Sequence, residues 1–298
     1  MELVKQNFSI KDLEHLSGIK AHTIRIWEKR YKVLTPSRTS TNIRTYDSSS
    51  LQKILNIAFL NENGYKISRI SKLNDEEISR MVKRISASSS RENRAINAFK
   101  LAMINFDKQL FHNTYARLQE DKSFQEIFQE VFLPLLNEIG TLWQTDTIKP
   151  IHEHYIVELI KQKLYLNIAG IKKKDDKKQT DHLYVLFLPE NEIHDIGILY
   201  INYLLLLNNR STIYLGPNLP IENLNYLLER SDKISFLSYF TIAPKDIKGF
   251  VEEFQEKVCS KESYELLVFG NRLKDMEEGR YPENIKFHQS IKEFVQNL

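Results

Sequence analysis

The pattern of apolar and polar residues changes along the 298-residue chain. Up to about residue 171, apolar residues recur every three or four positions, which is typical of amphipathic helices. Beyond about residue 180, short apolar runs alternate with helical patterns, which favours a parallel sheet with helices on both faces. Two hydrophilic stretches, SASSSREN from Ser86 and KKKDDKKQT from Lys172, have the composition of linkers. We therefore predict three domains, at 1–85, 94–171 and 180–298.

The first domain has the pattern of a helix-turn-helix followed by a wing. Ser9 and Asp12 have capping-box spacing, so the first helix begins there, and a second helix covers about Ala21–Tyr31. The segment TPSRTSTNIRTYD then predicts a hairpin-like wing, and Ser48–Glu62 predicts a longer helix. A basic second helix of this kind fits the major groove of DNA.

Charge is concentrated in the same region. The first fifty residues contain nine basic and five acidic groups, so their excess of positive charge is larger than the net +3 of the whole chain. Phosphate groups of nucleic acid attract such an excess. Within the second helix we expect Trp27 to pack in the small core instead of contacting DNA.

The second domain shows only helical periodicity. The predicted helices are Ala95–Asn105, Lys108–Leu118, Phe124–Trp143 and Ile151–Ile168. Short connections between them favour an antiparallel four-helix bundle, in which the loop QTDTIK brings Trp143 close to His152, Glu153 and His154. His152 and His154 are two positions apart on a helix and point in different directions, so we expect no shared metal ion there.

The third domain alternates strands and helices. Four predicted strands read as buried on both faces, namely Leu183–Leu188, Thr212–Leu215, Ile234–Tyr239 and Glu265–Phe269, and Ile285–His288 predicts a shorter fifth strand. The predicted helices are Ile193–Asn208, Ile221–Ser231, Pro244–Val258 and a short one near Lys274. Ligands of such sheets bind at the carboxyl ends of the strands.

The loop after the first of these strands carries Glu192, His194 and Gly197 in the pattern E-x-H-x-x-G. A metal-ligating histidine is commonly oriented by a carboxylate on its other nitrogen. A glycine lets a bulky planar ligand approach the backbone closely. Ser238 and Gly270 end the third and fourth strands, so they belong to the same edge of the predicted sheet.

The amino-terminal segment resembles the winged helix-turn-helix of the MerR family of transcription regulators over residues 7 to about 75. The resemblance is carried by the opening Ser9-Ile10 and by the motifs IRIWEKRY, PSRT and IRTYD. It implies dimers that bind pseudo-palindromic double-stranded operators. It also implies a set of candidate DNA-contacting residues: Thr23, Arg25, Arg30, Arg38 and Arg44.

The remainder resembles the cobalamin-binding fold of methionine synthase and the base-off corrinoid proteins, which use D-x-H-x-x-G, S-x-L and G-G. Here the matching residues are Glu192-x-His194-x-x-Gly197, Ser238 and Gly270. Trp143 followed after nine residues by Glu153-His154 adds a further match. With the MerR-type segment, the whole chain resembles the cobalamin-dependent light-sensing repressors of carotenoid genes. The fold so implied is a winged helix-turn-helix, a four-helix bundle that caps the cofactor, and a flavodoxin-like parallel five-stranded sheet with helices on both faces.

This resemblance implies a role for each matched residue. His194 would ligate the cobalt of adenosylcobalamin and Glu192 would orient it, while Ser238 and Gly270 would line the slot for the nucleotide tail. The residues that would enclose the adenosyl group are Trp143, Glu153 and His154. In the family, a tetramer holds the operator in darkness, and light dissolves the tetramer and releases transcription.

Four positions depart from the family pattern. Glu192 replaces the usual aspartate, Phe240 is the bulky third residue of the serine motif, and Asn271 follows Gly270 in place of a second glycine. Gln144 follows Trp143, whereas the light sensors often have a histidine nearby that binds cobalt after photolysis. The sequence therefore predicts a tighter tail slot and no stable product with two histidine ligands.

Two other functions stay open. One is a regulator that works without cobalamin, through another small ligand or a protein antirepressor, and the other is a corrinoid methyl carrier. We expect no enzyme activity, because no second acid, base or nucleophile pair stands out. The lone Cys259 excludes an internal disulfide framework and has no nucleophile setting. We expect a cytoplasmic protein with no membrane partner, because no apolar run reaches the roughly 20 residues of a span.

Overall fold

The computed structural model describes residues 8–85, 91–144, 148–172, 182–259, 263–275 and 281–296. The chain divides into two compact units, Met1–Ile160 and Lys161–Leu298. No helix in the described ranges is long and apolar enough to cross a bilayer.

The first unit begins with the helix-turn-helix elements. They are α1 (Ile10–Ser17), α2 (Ala21–Tyr31), β1 (Ser37–Arg38), β2 (Arg44–Thr45), α3 (Ser48–Glu62), α4 (Ile67–Ile70) and α5 (Asp75–Ile85). The predicted capping box is confirmed, because the Ser9 Oγ accepts from the Asp12 backbone N at 3.2 Å and the Asp12 Oδ2 accepts from the Ser9 backbone N at 2.7 Å. Gly18, at φ +74°, ends α1 in the left-handed conformation. The first three predicted helices and the wing are confirmed, whereas α4 and α5 were not predicted.

The helices of the bundle follow. They are α6 (Arg91–Asn105), α7 (Lys108–Leu118), α8 (Phe124–Ile127), a π-helical turn (Phe128–Phe132), α9 (Leu133–Gln144) and α10 (Pro150–Ala169). The π-helical turn interrupts the predicted third helix, and its Phe132 ring lies 5.4 Å from the Phe99 ring and 6.3 Å from the Phe111 ring. Early α10 packs through His152 and Tyr155, whose rings both lie 5.1 Å from that of Phe106.

The second unit contains the five-stranded sheet. Its elements are β3 (His182–Pro189), α11 (Ile196–Leu207), β4 (Ser211–Leu219), a 3-10 helix (Ile221–Leu227), β5 (Lys233–Tyr239), α12 (Ile247–Lys257), β6 (Tyr264–Phe269), a second 3-10 helix (Asn271–Asp275), β7 (Ile285–Phe287) and α13 (Ile291–Gln296). All strand pairs are parallel, in the order β4-β3-β5-β6-β7. This is the flavodoxin-like order. Helices α11 and α13 cover one face, and α12 with the first 3-10 helix covers the other.

Several details of this unit differ from the predictions. The prediction of burial on both faces is wrong for β4, which lies at the sheet edge and is mostly partly or fully exposed. The predicted helix Ile221–Ser231 is a shorter 3-10 helix, and α11 and α12 each begin three residues later than predicted. Helix α13 was not predicted. The later starts leave two longer loops at the carboxyl edge of the sheet.

Candidate functional sites

The two loops that follow β3 and β5 form the candidate cofactor site. The order of the sheet reverses between these strands, so the chain leaves them toward opposite faces. In open parallel sheets such a switch point is where ligands bind. The β3–α11 loop carries Glu192 and His194, and the β5–α12 loop carries Thr241, Ile242 and Ala243.

The carboxylate of Glu192 joins these two loops. The side chain is fully buried. Its Oε1 accepts from the backbone N of His194 at 3.0 Å and from the His194 Nδ1 at 2.7 Å. Its Oε2 accepts from the backbone N atoms of Thr241, Ile242 and Ala243 at 2.8, 2.7 and 3.0 Å. Five N–H groups therefore converge on one side chain, and both loops are fixed by it.

These hydrogen bonds decide the ionisation of Glu192. Burial alone would raise the pKa of this carboxyl group, because desolvation disfavours the charged form. Hydrogen bonds from the His194 side chain and from the backbone amides of Ala243, His194 and Ile242 outweigh burial and lower the pKa to about 2. Glu192 is therefore a carboxylate at neutral pH.

His194 is oriented by that carboxylate. Because Nδ1 donates to Glu192, the lone pair of the neutral ring lies on Nε2, which is the nitrogen that a metal would take. The side chain is 37% exposed. The next residue, Asp195, forms a largely buried ion pair with Lys161, whose Nζ lies 3.0 Å from Oδ1. His194 is thus held at the loop surface between two fixed acidic residues.

The two glycines predicted to belong to the site, Gly197 and Gly270, pack against the aromatic residues that follow Ser238, which are Tyr239 and Phe240. The Tyr239 ring packs directly over Gly197, since a Cβ there would lie 2.9 Å from two of its ring carbons. Gly270, at φ +117°, lies against the backbone of Phe240, whose N would be 2.7 Å from such a Cβ. Both glycines therefore allow close packing within the protein. The Ser238 Oγ is buried and has no hydrogen-bond partner among the described residues.

The residues predicted to enclose the cofactor from above belong to the first unit. Glu153 is half-buried and His154 is exposed in the first turn of α10. The side chains of Trp143 and Gln144, and residues 145–147 of the connecting loop, lie outside the described residues. His152 is buried, and its Nδ1 accepts from the Lys149 backbone N at 3.1 Å, so it caps α10. The described residues contain no cluster of three metal-binding side chains.

The candidate DNA-binding face lies on α2. Ile24 and Trp27 are buried, which confirms that Trp27 belongs to the core. Among the predicted contacts, Arg25 and Arg30 are exposed and Thr23 is half-buried. Three further residues of this face were not predicted, although helical spacing from Arg25 could have identified them: His22, Ile26 and Lys29.

The wing is tied to α2 by an acidic residue. Glu28 is largely buried, and its Oε2 accepts from the Arg44 Nε at 3.1 Å while its Oε1 accepts from the Tyr46 hydroxyl. Burial and this hydrogen bond raise the pKa of Tyr46. Arg38 faces Arg44 across the wing, is exposed, and donates to the Asn42 Oδ1 at 2.8 Å. Sequence reasoning missed Glu28, because an acid on a basic helix reads as a solvated charge.

Cys259 behaves as the sequence predicted. Burial raises the pKa of its thiol to about 11, and the half-buried Sγ lies 3.8 Å from the Tyr264 carbonyl oxygen. A thiol with this pKa is almost entirely protonated at neutral pH, so it is a poor nucleophile.

Comparison with known proteins identifies two segments. Residues 8–77 match the model of the MerR HTH family regulatory protein, and residues 95–166 match the model of a B12 binding domain. The HTH-type transcriptional repressor CarH of Myxococcus xanthus is 23% identical over 258 residues, which is 83% of each chain. A solved monomethylamine corrinoid protein of Methanosarcina barkeri superposes with a TM-score of 0.56 at 15% identity, over 69% of this chain and 97% of that one. The resemblance and the fold class drawn from the sequence are thereby confirmed.

Proposed function

Because the chain unites a MerR-type helix-turn-helix with a B12-binding domain, we propose that it is a cobalamin-dependent, light-responsive transcriptional repressor. The observation that carries the proposal is the pair Glu192 and His194 at the switch point of the sheet, in the same chain as a basic helix-turn-helix. The pair offers an oriented imidazole nitrogen to a metal, and α2 offers cations to DNA.

The residues of the second unit fit a cobalamin that has released its own base. His194 would hold the cobalt through Nε2, and Glu192 would keep the ring in that orientation. The buried Ser238 hydroxyl, which lacks a partner among the described residues, would bond the displaced nucleotide tail. Tyr239 would have to turn away from Gly197 to open the slot. Gly270 would keep the wall of the slot close to the sheet.

The first unit carries the other residues of the proposal. Trp143, Glu153 and His154 would enclose the upper ligand of adenosylcobalamin. When bound, this cofactor would supply a cobalt–carbon bond that visible light breaks. Thr23, Arg25, Arg30, Arg38 and Arg44 would contact the operator, with Arg44 held in place by Glu28.

Repression would depend on self-association. In darkness, bound adenosylcobalamin would favour the assembly of dimers into a tetramer. The tetramer would place two or more helix-turn-helix domains on one operator. Loss of the upper ligand would dissolve the assembly and weaken binding through lost avidity and lost phosphate neutralisation.

The test uses the purified full chain with adenosylcobalamin. In darkness we expect retained colour, early elution from a sizing column and a gel shift of promoter DNA. Green light should give later elution and release of the DNA, whereas hydroxocobalamin should give the late-eluting form under both conditions. His194→Ala should abolish retention of colour and assembly. Equal elution before and after illumination would defeat the light response.

A second candidate is a regulator that needs no cobalamin and responds to another small ligand or to a protein antirepressor. The observation that favours it is the Tyr239 ring, which fills the space over Gly197 where the tail would pass. A protein that binds promoter DNA but takes up no cobalamin in the same experiment would support this candidate.

A further inference from the structure

The solvent face of α2 contains one large apolar side chain. The residues of this face are His22, Arg25, Ile26, Lys29 and Arg30. At about 100° per residue, His22, Ile26 and Lys29 follow one another along the face, and Arg25 and Arg30 flank them. Ile26 is 53% exposed and therefore lies in the middle of a cationic surface.

The core of the first unit does not use this side chain. Ile24 and Trp27 are the buried residues of α2, and they lie about 160° and 100° away from Ile26 around the helix. A single exposed isoleucine is ordinary on a protein surface, so exposure alone indicates nothing. The position of Ile26 is informative, because it lies in the second helix of the helix-turn-helix. There it is surrounded by the cations that would contact the phosphates of DNA.

The charge of its neighbours identifies the partner. Arg25, Lys29 and Arg30 would repel a second basic surface and attract a polyanion. Double-stranded DNA is a polyanion whose major groove accepts an α-helix. Along the floor of that groove the bases present hydrogen-bond donors and acceptors, and the one apolar group is the 5-methyl of thymine.

We infer that Ile26 is a specificity-determining residue that reads the 5-methyl group of one thymine in each operator half-site. This inference rests on the proposed function, because it requires that α2 enter DNA. Arg25, Lys29 and Arg30 would contribute attraction that is the same for all sequences, and Ile26 would favour thymine at one position. Removal of one buried methyl group from such a contact weakens binding roughly fourfold.

The experiment removes that methyl group from the DNA. The full-length protein, with adenosylcobalamin in darkness, selects its preferred duplex from a randomised pool, and each thymine is then replaced by deoxyuridine. We expect wild-type affinity to fall about fourfold at one position per half-site. Ile26→Ala should bind the thymine and deoxyuridine duplexes equally at that position.

Two control variants sharpen the result. Ile43→Ala removes an isoleucine that is similarly exposed, at 59%, but lies in the wing, and it should keep the sensitivity to the methyl group. Lys29→Ala should weaken binding to both duplexes by the same factor. Because Ile26 is not one of the buried residues of α2, its replacement should change the thermal unfolding temperature little.

The outcomes separate this inference from the proposed function. If one sequence is selected but no thymine is sensitive, or if Ile26→Ala keeps the sensitivity, the inference is overturned and DNA binding stands. If Ile26→Ala keeps the sensitivity but changes the elution volume of the protein without DNA, Ile26 contacts a protein and the inference is also overturned. If no preferred sequence is selected from the pool, both the inference about Ile26 and the proposed function are overturned.

Discussion

Glu192 holds His194 at two points, since one oxygen, Oε1, accepts from both the backbone N at 3.0 Å and the ring Nδ1 at 2.7 Å. The other oxygen accepts from three successive amides of the β5–α12 loop. The direction of the imidazole is therefore set by a carboxylate that is itself fixed to the loop that follows a second strand of the sheet.

Glu192→Gln should loosen both loops. The amide nitrogen of glutamine donates hydrogen bonds, so it would face either the His194 donors or the backbone amides of 241–243. Loss of charge-assisted bonds to a buried group costs on the order of 3 kcal/mol. We expect amide hydrogen exchange at Thr241, Ile242 and Ala243 to rise at least tenfold, and retention of cobalamin to weaken.

Two further variants test the cause of that effect. Glu190→Gln changes an exposed carboxylate two residues earlier and should alter neither quantity. Glu192→Asp keeps the charge but shortens the side chain by about 1.5 Å, so it should lose one of its two sets of donors. Unchanged exchange at 241–243 in Glu192→Gln would contradict the account of the joined loops.

Gly270→Ala should destabilise the second unit. A Cβ at this position would overlap the carbonyl oxygen of Phe240 and lie 2.7 Å from its N, and φ is +117°. We expect a loss on the order of 3 kcal/mol in the free energy of unfolding, measured by denaturant titration of the tyrosine signal. Gly216→Ala provides the comparison, because Gly216 has φ +80° but its nearest contact would be at 3.8 Å. Equal losses in the two variants would mean that steric overlap at Gly270 is unimportant.

Glu28→Ala should weaken operator binding although Glu28 is largely buried. When the Glu28 carboxylate is removed, Arg44 and Tyr46 lose their hydrogen-bond partner on α2. The wing is then less ordered before binding, so part of the binding free energy must be used to order it on DNA. Ordering a long side chain costs on the order of 1 kcal/mol, so binding should weaken roughly fivefold relative to Glu28→Gln. Glu28→Gln also removes the charge but keeps an acceptor. Fluorescence anisotropy with labelled operator gives the two affinities, and tighter binding by Glu28→Ala would contradict this role.

The stability of the second unit should fall as the pH drops below 6.5. At the amino edge of the sheet, the Ser235 hydroxyl donates to Glu265 at 2.6 Å, so it accepts from the His182 Nε2 at 2.7 Å. Burial, and then the charges of Lys233 and Arg210, lower the pKa of His182, with Glu265 opposing them. A histidine kept neutral by folding contributes stability above its unfolded pKa and loses it as the pH falls toward the lowered value.

The expected slope is at most about 1.4 kcal/mol per pH unit for one histidine. His182→Gln should flatten the dependence of unfolding free energy on pH below about 6.5. Burial also lowers the pKa of His288, so His288→Gln should flatten it further. Glu265 has a lowered pKa and loses its contribution only below about 4.5. A His182→Gln variant with the wild-type slope would contradict this assignment.

The sequence predicted the strands because their apolar runs are local features. It did not predict that β4 lies at the sheet edge, since strand order depends on pairing between distant segments. It also began α11 at Ile193 and α12 at Pro244, each three residues too early, and the apolar residues Ile193 and Ile242 at or near these predicted starts belong to the loops. In the structure both isoleucines are exposed beside the amides that bind Glu192.

The candidate cofactor residues show the same limit. The spacing of Glu192 and His194 predicted that the carboxylate orients the ring, and their 2.7 Å hydrogen bond agrees with that prediction. The partners of the second carboxylate oxygen are backbone N–H groups about fifty residues away in the sequence. Because almost every residue type has such a group, the sequence does not identify them. Gly197 was expected to face a ligand, but its pattern could not reveal that Tyr239 would pack over it.

Because Glu192 joins the two loops, His194 would lose less conformational entropy on binding a metal. An imidazole that rotates freely in solvent must be immobilised when it ligates, which costs up to about 1–2 kcal/mol, or roughly tenfold in affinity. In this protein the torsions of His194 are already restricted when the second unit folds. A cobalt ion bound as proposed would therefore meet a nitrogen whose orientation is already fixed, so little of the binding free energy would be lost in immobilising the side chain.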